Sequence, residues 1–120
     1  PDSGGTFFLP RLVGMQKAAA LMMTAEPVSA KDAEAMGMIY KVFSDESFKE
    51  ESWKLASKLA KMPTKGLGLT KRLLNASYSN NLEQQLDMED KCQTIAGNTA
   101  DFKEGIEAFF EKRKPNFKGK

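Results

Sequence analysis

The chain has 120 residues, 41% of them hydrophobic, which is enough for one domain with a modest core. Its 18 Lys and Arg against 16 Asp and Glu leave a net charge of +2, without the strong field expected of a general nucleic-acid binder or a binder of acidic substrates. With no His and a single Cys, Cys92, metal sites and Ser-His or Cys-His triads lose their usual residues, and any acid or base must be a carboxylate, a Lys or a Tyr.

The chain opens on PDSGGTFFLPRLVG, where Asp2 and Ser3 precede Gly4, Gly5 and Thr6, and Phe7, Phe8, Leu9, Leu12 and Val13 form an apolar run closed by Gly14. The pattern predicts a turn feeding a short helix, with Asp2, Ser3 or Thr6 placed to accept hydrogen bonds from its first amides. On spacing alone Asp2 is an N-cap. The paired glycines let the backbone approach another part of the protein or a ligand, but no phosphate-binding fingerprint surrounds them. Phe7 and Phe8 read as core.

From Met15 to Thr24 the Ala-rich run MQKAAALMMT predicts a buried helix that ends before Pro27, with Met22 and Met23 as core filler rather than walls of an acyl pocket. Ser29 reads as the N-cap of a short helix that Gly37 ends, with Asp32 completing the cap. The run Met38 to Phe43, MIYKVF, alternates enough to be the only strand candidate.

Residues 45–120 are expected to hold four helices. Asp45 or Ser47 opens the first, in which Phe48, Leu55, Leu59 and Met62 recur at helical spacing until Pro63. A second starts near Thr64, weakened by Gly66 and Gly68, carries Leu67, Leu74 and Tyr78 on one face, and breaks at Asn80-Asn81. A third runs from about Leu82 to Ala96 with Leu86, Met88, Cys92 and Ile95 inward, and Gly97-Asn98 end it. The last runs from about Asp101 to Lys112 with Phe102, Ile106, Phe109 and Phe110 on a wide apolar face. Beyond it lies a basic tail holding Phe117, for which a solvated, fraying terminus is the plain reading.

This is a mainly α reading with at most one short strand and one domain over residues 1–120. Its apolar stripes outnumber the layers available to cover them, which implies a missing partner. A lone Cys92 in a helical pattern suits a small buried hydrophobe in a reducing compartment. No transmembrane run or signal peptide is visible, so no membrane partner is expected and cytoplasm is the expected setting.

Together, PDSGGTFFLPRLVG, the segment TAEPVSAKDAEAMG from Thr24 to Gly37 and the ending EAFFEKRKPNF resemble the C-terminal half of the crotonase superfamily, the enoyl-CoA hydratases and isomerases. The resemblance runs through the whole chain. It implies the helical region that covers a crotonase-like fold and assembles subunits into trimers or hexamers, with the N-terminal β/α spiral absent and swapped association of the chain alone as a consequence. It also implies an acyl-CoA thioester substrate whose enolate is stabilised by two backbone amides. Those amides belong upstream of Pro1, so the isolated chain is expected to be inactive.

Hydratases of the superfamily usually carry a small residue before the xGGT turn, whereas several isomerase branches, ring-epoxide isomerases of phenylacetate degradation among them, place a carboxylate there. The resemblance therefore makes Asp2 the catalytic acid/base and Gly4, Gly5 and Thr6 the active-site turn. It carries CoA binding onto Phe109 and Lys112, a face for the adenine and an ammonium for a phosphate, expected at i and i+3 of one helix. Core packing for Phe109 stays open beside that role. No metal or other cofactor is implied, since CoA is the handle of the substrate. The branch expected is an isomerase most like the ring-epoxide type; a hydratase, and a non-catalytic assembly module, are the alternatives.

Overall fold

The computed structural model describes residues 1–120 as seven helices without a strand: α1 (Gly5–Val13), α2 (Met15–Thr24), α3 (Ala30–Ala35), α4 (Phe48–Ala60), α5 (Thr64–Ala76), α6 (Leu82–Gly97) and α7 (Ala100–Phe110). They fall into two compact units, Pro1–Lys49 and Glu50–Lys120.

In the first unit α1 packs on α2. α1 continues through Pro10, which has no N–H to give to the Thr6 carbonyl, and ends at Gly14 with φ +83°. Ser29 caps α3 as expected, its hydroxyl oxygen accepting the Asp32 N–H at 3.1 Å. The end of α3 is a Schellman turn in which the Met38 N–H reaches the Ala33 carbonyl at 2.9 Å and the Gly37 N–H reaches Glu34 at 3.0 Å. Gly37 takes φ +81° there, a conformation that suits glycine.

Residues 38–43 form no strand, which corrects the one extended element expected. The segment has no neighbouring strand to pair with. Its Val42 N–H goes instead to the Glu34 carboxylate at 3.1 Å, and Ile39 and Tyr40 stand exposed.

In the second unit α5 packs on α6 and α6 on α7. Asn81 and Gln84 form a reciprocal capping box at the start of α6, where a break alone was expected. The Gln85 side chain ties α6 to the Leu73 carbonyl of α5 at 3.2 Å. The inward residue of α5 is Leu69 rather than Leu74, which is 63% exposed, and Tyr78 is exposed with it. On α6 the expected Cys92 is buried and is a free thiol, but Leu86 and Ile95 are exposed.

The apolar core is small, consisting of Ala18, Ala33, Leu69, Cys92 and Ala108. Large apolar side chains remain outside, including Met23, Trp53, Leu82 and Phe110. For Met23, 84% exposed, the expectation of core filler is corrected. This is the unsatisfied apolar surface that the sequence pattern implied. No helix is long and apolar enough to cross a membrane.

Candidate functional site

The first group of candidate residues lies in one turn. The Asp2 carbonyl accepts the Gly5 N–H at 2.8 Å, and the Gly4 carbonyl accepts the N–H groups of Phe7 and Phe8 at 2.9 and 3.0 Å. Ser3 and Gly4 both have positive φ, +49° and +85°. A Cβ on Gly4 would stand 3.0 Å from the Phe8 ring, so both conformation and space call for glycine there. Gly5 sits where Met22 of α2 and Pro1 come within 3.9 Å of its missing Cβ.

The N-cap of α1 is Gly4, and no side chain caps the helix. That removes the capping role expected for Asp2, because the backbone closes the turn unaided. The Asp2 carboxylate is exposed and makes no hydrogen bond or ion pair. Thr6 lies in the first turn of α1, exposed.

The second group lies at the end of α7 in the other unit. Phe109 is 79% exposed, in edge contact with Phe110 at 5.8 Å, so it is not part of the core within this chain. The helix stops at Phe110, two residues short of Lys112. Phe109 and Lys112 therefore do not share a helix face as expected. Lys112 instead occupies the left-handed position of a second Schellman turn, with φ +54°; its N–H reaches the Phe109 carbonyl at 3.3 Å and the Arg113 N–H reaches Ala108 at 3.0 Å.

The tail beyond this turn does not fray. Arg113 makes a two-armed ion pair with Glu104, at 2.6 and 2.9 Å, and contacts Glu111 as well. Glu104 also accepts the Asn116 N–H at 2.6 Å, and these partners hold its pKa down at about 2. Asp101, 3% exposed, accepts the N–H groups of Lys118 and Gly119 at 2.6 and 2.7 Å. Phe117 lies against Gly105, beside a groove of about 660 Å³ that also takes in Phe102, Ile106, Phe109 and Phe110. Sequence reading missed Asp101 and Glu104, because each acts on residues 9 to 18 positions away.

The turn at Asp2 and the turn at Lys112 thus belong to separate units, and each unit brings its own candidates together. The helices of each unit leave much of their apolar surface uncovered, as helices that pack against a further layer do. The chain belongs to the enoyl-CoA hydratase/isomerase family, whose sequence model matches residues 1–120.

Among relatives, it is 44% identical over 120 residues to the 1,2-epoxyphenylacetyl-CoA isomerase of Escherichia coli (strain K12), covering 100% of this chain and 46% of that one. It is 41% identical over 121 residues to a Rhodobacter capsulatus protein named "Probable enoyl-CoA hydratase", covering 100% and 47%. The solved enoyl-CoA hydratase of Bacillus anthracis superposes with a TM-score of 0.93 at 32% identity, over 100% of this chain and 46% of that one. The chain spans about half the length of the relatives it matches. It is the C-terminal helical region of a crotonase-like fold, as the sequence resemblance implied.

Proposed function

We propose that the chain is the C-terminal part of an acyl-CoA isomerase in which Asp2 moves a proton on a CoA thioester. The observation that carries this reading is the state of Asp2. Its carboxylate stands free at a turn closed by backbone hydrogen bonds alone, so helix capping does not account for it. A free carboxylate is the group available there to take a proton beside the thioester carbonyl and return it further along the acyl chain. In a 3-enoyl thioester the proton leaves C2, the charge rests on the thioester oxygen as an enolate, the double bond moves to C2–C3, and the proton arrives at C4. The amides that hold that oxygen come, in this reading, from the N-terminal half of the enzyme.

Phe109 and Lys112 serve the nucleotide end of CoA. Exposure of the ring and the absence of an ion pair at Lys112 support this, whereas Arg113 is already neutralised by Glu104 and Glu111. The left-handed backbone at Lys112 supports it too, since a lysine standing where glycine fits better is a local strain of the kind found at functional sites. Assembly into trimers or hexamers would cover the exposed apolar faces, and a reducing cytoplasmic setting suits the free Cys92 thiol. A hydratase is the second reading, supported by the 41% identity to the Rhodobacter capsulatus protein.

The test joins these 120 residues to the N-terminal half of the Escherichia coli relative and offers 3-enoyl-CoA and 2-enoyl-CoA in separate assays. Isomerisation of the 3-enoyl thioester that Asp2→Asn lowers by about a hundredfold or more is expected. Brisk hydration of the 2-enoyl thioester that survives Asp2→Asn would make the enzyme a hydratase.

A further inference from the structure

The last helix ends in a set of contacts that join residues before Lys112 to residues after it. Glu104, two turns back on α7, grips Arg113 with both carboxylate oxygens, at 2.6 and 2.9 Å, and the Asn116 N–H at 2.6 Å. Residues 113 and 116 are thus fixed to one side chain of the helix that Lys112 has just left. Behind them Asp101 holds Lys118 and Gly119, and its own N–H reaches the Lys120 carbonyl at 3.0 Å. A lysine in the left-handed region is disfavoured, and a free chain end would relax it. Here the clamp on the following residues keeps the turn closed. The same ion pair occupies the Arg113 guanidinium, so Lys112 is left as a cation without an ion-pair partner directly after α7.

We propose that Glu104 is a positioning residue for CoA recognition: by holding Arg113 and Asn116 it fixes the left-handed turn that sets Lys112 three residues beyond the exposed Phe109. This rests on the CoA reading of Phe109 and Lys112. Glu104 touches no substrate, and its effect passes through Lys112. Removing the clamp lets the turn open, so that the ammonium must be ordered again on binding.

Calorimetric titration of CoA into the protein formed by joining these 120 residues to the N-terminal half of the Escherichia coli relative tests this, with pantetheine, which lacks the nucleotide, as the control ligand. Lys112→Ala is expected to weaken CoA binding about 10-fold, the scale of one charge-assisted contact. Glu104→Gln is expected to weaken it about 3-fold, and Arg113→Gln, which breaks the same pair from the other side, by a similar factor. In the Lys112→Ala background Glu104→Gln should change affinity by less than about 1.5-fold, because the two act as a unit. Pantetheine should not distinguish the variants, and circular dichroism should show unchanged helix content.

A Lys112→Ala variant that binds CoA like wild type, or a wild type that does not bind, overturns the CoA reading and the positioning role with it. A loss for Lys112→Ala with none for Glu104→Gln, or a Glu104→Gln loss that Arg113→Gln does not share, overturns the positioning role alone. So does a Glu104→Gln loss that persists undiminished without Lys112, which would mark Glu104 as a general stabiliser.

Discussion

Lys112→Gly sets stability against binding at one residue. The chain contains the same helix-ending turn twice, once with Gly37 at φ +81° and once with Lys112 at φ +54°. An L-residue in the left-handed region costs ~1–2 kcal/mol, and glycine escapes that cost. Glycine also loses more freedom on folding, which takes back ~0.4–1 kcal/mol. The Lys112 side chain makes no ion pair whose loss would enter the sum. A net gain of about 0.5–1 kcal/mol is expected, a rise in Tm of roughly 2–5 °C for a chain of this size. Thermal unfolding followed by circular dichroism measures the gain, and CoA titration on the same samples measures the accompanying loss of affinity. A variant that melts lower than wild type would refute the backbone argument. One that melts higher and binds CoA undiminished would show that the left-handed lysine has no part in recognition.

Gly4→Ala should destabilise the turn before α1 by about 1–2 kcal/mol, since it combines φ +85° with a Cβ placed 3.0 Å from the Phe8 ring; chemical denaturation of the variant against wild type checks this. The Glu104 clamp is sensitive to acid. Its carboxyl titrates at about 2 in the folded chain against 4.5 ordinarily, so its contribution is complete above about pH 4.5 and is lost as pH falls toward 2. The Asn116 amide should therefore lose protection from hydrogen exchange in that window, and a flat profile would contradict it. The exposed apolar faces predict concentration-dependent self-association of the isolated chain, read by analytical ultracentrifugation, and a clean monomer across the micromolar range would count against it.

Local chemistry made several element ends legible in the sequence. Ser29 with Asp32 marks the start of α3, Pro63 separates α4 from α5, and α6 ends at Gly97-Asn98, with Asn98 as its C-cap. What resisted reading was whatever depends on distant partners. Leu69 is buried and Leu74 is not, although both suit a helix face, because this chain covers only some of its apolar stripes. The same lack leaves MIYKVF unpaired, since alternation alone cannot supply a neighbouring strand.

At the candidate site, the sequence nominated Asp2, the two glycines and Lys112 but misread how Asp2 and Lys112 are held. Asp2 looked like a cap because capping residues usually precede helices, yet Gly4 in a left-handed turn makes a side-chain cap unnecessary. Lys112 looked helical because nothing but Pro115, three residues on, signals that the helix has already ended. The tail reads as nine mostly basic residues that ought to be solvated. Asp101 and Glu104 hold it through backbone N–H groups and one guanidinium, partners that hydrophobic periodicity does not reveal.

As the acid/base proposed here, Asp2 should exchange hydrogens next to a CoA thioester even on an unreactive substrate. Butanoyl-CoA has no double bond to shift or hydrate. In D2O the only change open to it at such a site is exchange of its C2 hydrogens, which proton NMR follows. With these 120 residues joined to the N-terminal half of the Escherichia coli isomerase, wild type should exchange the C2 hydrogens and Asp2→Asn should not, while both bind CoA equally. Exchange that continues at the wild-type rate in Asp2→Asn would place the base elsewhere and leave Asp2 without a role in the chemistry.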